Sequence, residues 1–102
     1  MFYINIIKSY RDVVAICDAE LLGKKFEQDK FQLDVKENFY NFKEGQQVDE
    51  NKVREIIQKM SAEDATFNIV GEKAISLALQ EGIIAEDSVK KIDGVPYSLV
   101  LI

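Results

Sequence analysis

Two short apolar, β-branched runs open the chain: residues 2–7 (Phe2, Ile4, Ile6, Ile7) and 13–17 (Val13, Val14, Ile16). The polar stretch Lys8-Ser9-Tyr10-Arg11-Asp12 divides them, which predicts a β-hairpin. Near-continuous apolarity predicts that both strands are covered on two faces or lie centrally in a sheet. In Asp18-Ala19-Glu20-Leu21-Leu22-Gly23, an Asp can cap one helical turn and a Gly can end it in the left-handed conformation, so a tight corner is expected. Residues 25–28 and 31–35 predict a second hairpin about Asp29. There Phe31, Leu33 and Val35 alternate with Gln32 and Asp34, burying one face and wetting the other. On this pattern Phe26 and Phe31 belong to the core. The segment Asn38–Gly45 has no clean period and reads as a loop whose aromatics Phe39, Tyr40 and Phe42 are open to interaction.

The period then changes from two to 3.6. Val53, Ile56, Ile57 and Met60 recur at i, i+3, i+4 and i+7, predicting a helix over about residues 50–60 with Asp49 as N-cap and Val48/Val53 as a hydrophobic staple. A second helix is expected to start at Asn68 as N-cap and to run to about Glu81. Its apolar positions Val70, Ala74, Ile75, Leu77, Ala78 and Leu79 cover more than one stripe, so it should be the more buried of the two. Gly82 stands where a C′ glycine belongs, and Ile83 where a Schellman motif makes its apolar contact. Finally Val89–Ile92 and Val95–Ile102 flank Asp93-Gly94, the dipeptide of two-residue type I′ hairpins. Pro96 cannot donate to a ladder and is expected on an edge or before pairing begins. Runs of strands beside runs of helices read as α+β: a mainly antiparallel sheet of about five to six short strands with two helices on one face. No repeat or linker interrupts residues 1–102, which predicts a single domain.

Composition narrows the chemistry. The 102 residues are 47% hydrophobic and 30% charged, clear of the low-hydrophobicity, high-charge corner of disordered chains. No apolar run approaches the roughly 20 residues that span a bilayer, and the first residues have no basic n-region, so a cytoplasmic protein without a membrane partner is expected. One cysteine and no histidine exclude an internal disulfide, zinc sites built on Cys and His, and every triad or dyad with His as base. Cys17, ending an apolar strand, reads as an inert core thiol. A net charge of −5 argues against a broad basic face for nucleic acid. Net charge hides patches, however, and Lys24-Lys25 and Lys90-Lys91 are paired, although such pairs are usually a solvated surface.

Acid–base chemistry would fall to carboxylates and lysines. Asp18 and Glu20 lie in the corner, Asp34 and Glu37 at a strand end, where turns and caps account for them; paired carboxylates do acid–base work only where their environments separate their pKa values. No Asp-x-Asp-x-Asp-Gly loop calls for a metal, and nothing calls for a cofactor. The run Asn68-Ile69-Val70-Gly71-Glu72-Lys73 has two readings. In one, Asn68 caps the helix and Gly71 permits close packing; in the other, the free N–H groups of the helix start, with Lys73, hold an anion such as phosphate against the repulsion of Glu72. Between residues 26 and 42, aromatics interleave with Lys24, Lys25, Lys30, Lys36 and Lys43, a combination that can bind single-stranded nucleic acid by charge neutralisation and base stacking.

Four blocks in order carry a resemblance: Cys17-Asp18-Ala19-Glu20-Leu21-Leu22-Gly23-Lys24-Lys25-Phe26; Leu33-Asp34-Val35-Lys36-Glu37-Asn38-Phe39-Tyr40; Asn68-Ile69-Val70-Gly71-Glu72; and Ile92-Asp93-Gly94-Val95-Pro96-Tyr97. Over almost its whole length the chain resembles the small archaeal family known as domain of unknown function 424. The resemblance implies a stand-alone cytoplasmic domain of about this length, with an association with translation as analogy. The family pattern carries His after Gly-Val-Pro where this chain has Tyr97, so no imidazole acts at that point.

The leading expectation is a non-catalytic interaction module acting on RNA or a ribonucleoprotein, with Gly23, Lys24, Lys25, Asn68, Gly71 and Lys73 as its contact region. The alternative is a small phosphate- or small-molecule-using enzyme with Asp18, Asp34 and Glu72 in one cleft. A third reading is a protein-binding adaptor using the acidic surface and exposed aromatics.

Overall fold

In the strand β2 (Val13–Asp18), Val14 and Ile16 point to one side and Ala15 and Cys17 to the other, and all four are buried. Such a strand needs cover on both faces. The structure, a computed structural model, describes residues 1–41 and 47–100 and supplies that cover in three layers. Phe42, Lys43 and Gly45 of the expected aromatic loop, and the final Leu101-Ile102 of the expected last strand, lie outside the described residues.

The middle layer is a five-stranded sheet in the order β1-β2-β5-β7-β6, built from β1 (Phe2–Ile7), β2, β5 (Thr66–Val70), β6 (Lys90–Ile92) and β7 (Val95–Val100). Pairing is antiparallel except between β2 and β5, where Val13 to Cys17 run parallel to Thr66 to Val70. One face carries α2 (Glu50–Ala62) and α3 (Glu72–Gln80), whose Val53, Ile57, Met60, Ala74, Leu77 and Ala78 pack with Phe2, Val14, Ile16, Phe67 and Ile69. The opposite face carries the hairpin β3 (Lys25–Gln28) and β4 (Phe31–Asp34) and the single turn α1 (Glu37–Tyr40). There Val35, Tyr40, Phe26 and Leu33 cover Ala15, Cys17, Val70, Val95 and Tyr97. The fold is therefore α+β, with a mainly antiparallel main sheet and its two long helices on one face.

Local signals act as the pattern predicts at the ends of elements. Asp49 Oδ1 accepts the Lys52 amide at 2.9 Å, capping α2. Ile83 N–H donates to Ala78 O at 3.2 Å and Gly82 N–H to Leu79 O at 3.1 Å, with Gly82 at φ +75°, which is the Schellman arrangement. Asp93 and Gly94 both have positive φ, 52° and 79°, as a type I′ turn requires.

One expectation is corrected and another is narrowed. Thr66–Val70 is a strand in the centre of the sheet, not the beginning of a helix, so Asn68 lies mid-strand and is no N-cap. Its signal is a short alternation, with Phe67 and Ile69 to the helices and Val70 to the hairpin side; this yields to a helical count only if the following helix is extended backwards. Pro96 lies in an interior strand, between β5 and β6, not on an edge, and it stands just before the pairing with β5 begins at Tyr97, the second place expected for it. It is tolerated because its carbonyl accepts the Gly71 amide at 2.9 Å, while the carbonyl that its own N–H would have sought, that of Gly71, is taken by the Ile75 amide at 2.9 Å.

Leu77 is 3% exposed in the helix face against the sheet. Leu77→Ala should lower the unfolding free energy by about 2–5 kcal/mol through lost burial and cavity formation, measured by chemical denaturation.

Candidate functional site

At the junction where β2 ends and α3 begins, Asp18 is 3% exposed. Its Oδ2 accepts the Lys73 amide at 3.1 Å and its Oδ1 the Ala74 amide at 2.8 Å. The expected local cap on the 3-10 turn Ala19–Leu21 is not made; the Asp18 side chain instead caps a helix 55 residues further on. Gly71, at φ +112°, is the residue that makes room, because a Cβ there would fall inside the van der Waals envelope of the Asp18 carboxyl group. Glycine is required here both for conformation and for space. The anion at this helix N-terminus is the protein's own. Burial lifts the Asp18 carboxyl above its ordinary range, and the two amide donors pull it partly back.

The other predicted residues lie in different surroundings. Gly23, at φ +82°, donates to Val35 O at 2.8 Å and has the Glu37 side chain beside it; Val35 in turn donates to Lys24 O at 2.9 Å. Lys24 and Lys25 are exposed at the root of the β3–β4 hairpin, with Lys25 directly across from Asp34. Gly23 and Asp34 share an open recess with Lys36 and Glu37, whereas Glu72 and Lys73 line a separate groove of about 480 Å³ between α2 and α3, with Met1 and Arg54. Asp34 and Glu72 thus line different recesses, Asp18 lines neither, and the link between the corner segment and the Gly71 turn is Asp18 itself. Among the described residues no three carboxylates or thiols converge as a cation site. Cys17 is fully buried, and burial pushes its thiol up to about 12, which keeps it protonated and unreactive.

A surface not singled out in the sequence forms at the other end of the hairpin. Phe26 and Leu33 face each other across β3 and β4 on the buried side, and Phe31, two residues from Leu33, points the same way. Yet Phe31 is 67% exposed. β6 is the edge strand of the sheet, and the hairpin tip lies over it, where Phe31 stays exposed. Gln28 anchors the tip by accepting the Asp93 amide at 2.7 Å. Between tip and edge is a recess of about 300 Å³, lined by Phe31, Gln28 and Asp29 from above and by Lys90, Lys91 and Tyr97 from the sheet. Phe31 alternates with polar residues as a core aromatic does, and its place over the sheet edge distinguishes it. The Lys90-Lys91 pair was the available signal.

The four sequence blocks also explain one another. Asp18 packs on Gly71, Gly71 hydrogen-bonds Pro96, and Val35 hydrogen-bonds Lys24, so each block touches another in the fold. A family model described as "Protein of unknown function (DUF424)" matches residues 7–102. The chain belongs to the DUF424 family. A crystal structure of an uncharacterized conserved protein from Methanopyrus kandleri is similar to this DUF424 chain with a TM-score of 0.74 and 29% identity, over 98% of this chain and 91% of that one. No curated protein matches this member of DUF424.

Two outcomes follow from the Asp18–Gly71 contact. Gly71→Ala should cost well over the roughly 1–2 kcal/mol that a left-handed residue costs by itself, whereas Gly82→Ala, whose Cβ meets nothing within 4 Å, should cost no more than that; paired denaturation curves decide. Because burial raises the folded-state pKa of Asp18, the native state binds the proton more tightly than the unfolded chain does. The contribution of this group to stability therefore falls as pH rises from its ordinary value of 3.8 through the raised one. Asp18→Asn should remove that part of the pH slope, read from urea midpoints across the acidic range.

Proposed function

We propose that the chain is a non-catalytic module that binds single-stranded RNA, free or within a ribonucleoprotein of the translation machinery, in the cytoplasm. The observation that carries this reading is Phe31, an aromatic held 67% exposed by an anchored hairpin tip over the edge strand, where Lys90 lies across from Tyr97 on the hairpin side and Lys91 follows it. A ring face and adjacent ammonium groups are what a single strand uses, the bases stacking and the phosphates pairing with cations. The site is local, so the net charge of −5 does not oppose it beyond the Debye length, about 8–10 Å in physiological salt. The contact region is centred on Phe31, Lys90, Lys91 and Tyr97, with Lys24 and Lys25 at the hairpin root as a flank. The enzyme reading gains no comparable support: both Asp18 oxygens are used in capping α3, and Asp34 and Glu72 line different recesses.

Titration of labelled oligouridylate at low salt tests this. Phe31→Ala should weaken binding by about 1–3 kcal/mol, the worth of one stacked base. Lys90→Ala with Lys91→Ala should weaken binding to all sequences and make the logarithmic salt slope shallower by roughly 0.7 per lost contact. The double change Lys24→Ala, Lys25→Ala should have a smaller effect, and stability should move little in each case because the side chains are exposed. Absence of binding by the unaltered protein overturns the reading.

A further inference from the structure

We propose that the recess beneath the hairpin tip selects guanine among the bases of a bound single strand, an inference that rests on the RNA reading above. Its walls are not uniformly suited to nucleic acid, and the exception is informative. Phe31 and Tyr97 offer rings, and Lys90, across from Tyr97 on the hairpin side, offers charge to phosphates with Lys91 next to it in the strand, but Asp29 also lines the recess, and a carboxylate there repels a phosphate backbone. Among the described residues Asp29 makes no ion pair and no side-chain hydrogen bond. It is exposed, and its oxygens are free to accept from a ligand in the recess.

Gln28 completes the pattern. Its Oε1 accepts the Asp93 amide at 2.7 Å, and since an N–H must meet an oxygen, the orientation of the side-chain amide is decided and Nε2 is left as a donor. The recess thus offers one donor beside a two-oxygen acceptor. Guanine presents the complement on its Watson–Crick edge: O6 accepts, and N1–H and the N2 amino group donate side by side to a single carboxylate. Adenine and cytosine each present one donor group beside acceptors, and uracil presents one N–H between two carbonyls; each would leave Asp29 facing a lone pair. Unstacked bases of single strands are read on this edge. A recess of about 300 Å³ is at the small end of ligand pockets, suited to one nucleotide.

The test uses the full chain and labelled pentamers U-U-X-U-U, with X guanine, adenine or inosine, followed by fluorescence anisotropy. Guanine should bind about 5- to 150-fold more tightly than adenine, and inosine, which lacks the N2 donors, should fall between them. Asp29→Asn keeps a residue type that tolerates the φ of +56° at this turn; it should erase the preference for guanine by weakening the guanine pentamer, while the adenine pentamer, relieved of the carboxylate's repulsion, should bind at least as tightly as before. Equal affinity for guanine and adenine in the unaltered protein, or an undiminished preference in Asp29→Asn, overturns the proposal while the RNA reading stands. Failure of every pentamer to bind overturns both.

Discussion

A carboxylate without water is expensive, and this fold places one where three strand ends and a helix meet. Removing Asp18 from solvent costs several kcal/mol. Against that stand two amide hydrogen bonds to a charged acceptor, about 1.5–3 kcal/mol each, and the N-terminal dipole of α3, up to about 2 kcal/mol. The terms are of the same size, so the arrangement holds only if the geometry is kept. Gly71 keeps it by having no side chain, and Pro96 by accepting the Gly71 amide while seeking no bond in return. Loosening any one of the three leaves either a buried charge or buried amides unpaired.

That junction also settles where binding chemistry can occur. A helix N-terminus is the strongest anion site that a backbone makes, and here it is filled from within the chain. What is left to the surface is side chains. The hairpin lies across the sheet to cover Ala15, Cys17 and Val70, and its inner face carries Phe26 and Leu33 over the core and Gln28 and Phe31 toward the tip. Over the edge strand β6 that face ends in an exposed ring beside charged neighbours. Phe31 is thus an exposed aromatic on an otherwise acidic protein.

How much of this could be read from residue order depends on the range of the interactions concerned. The hairpins, the Asp49 cap of α2, the Schellman end of α3 and the Asp93-Gly94 turn each depend on residues within about six positions of one another, and their spacing shows in the chain. The burial of Cys17 and the breadth of the apolar face of α3 are legible for the same reason. Other features are not. Thr66–Val70 is too short for its alternation to outweigh a helical count; it becomes a strand because β2 and β7 are there to accept its hydrogen bonds on both sides. Asp18 looks like a local cap and serves a distant one, since a side-chain acceptor goes to whichever unpaired amides the fold presents. Phe31 looks like core and lies outside it.

The order of residues, then, decided which segments curl and which extend, because propensity, period and turn chemistry act over a few residues. The folded layers decided which polar group lies against which helix end, where a proline can lie inside a sheet, and which aromatic is left exposed over the sheet edge. Those outcomes depend on strand order and on how the hairpin lies over the sheet, which exist only once residues far apart in the chain have been brought into contact.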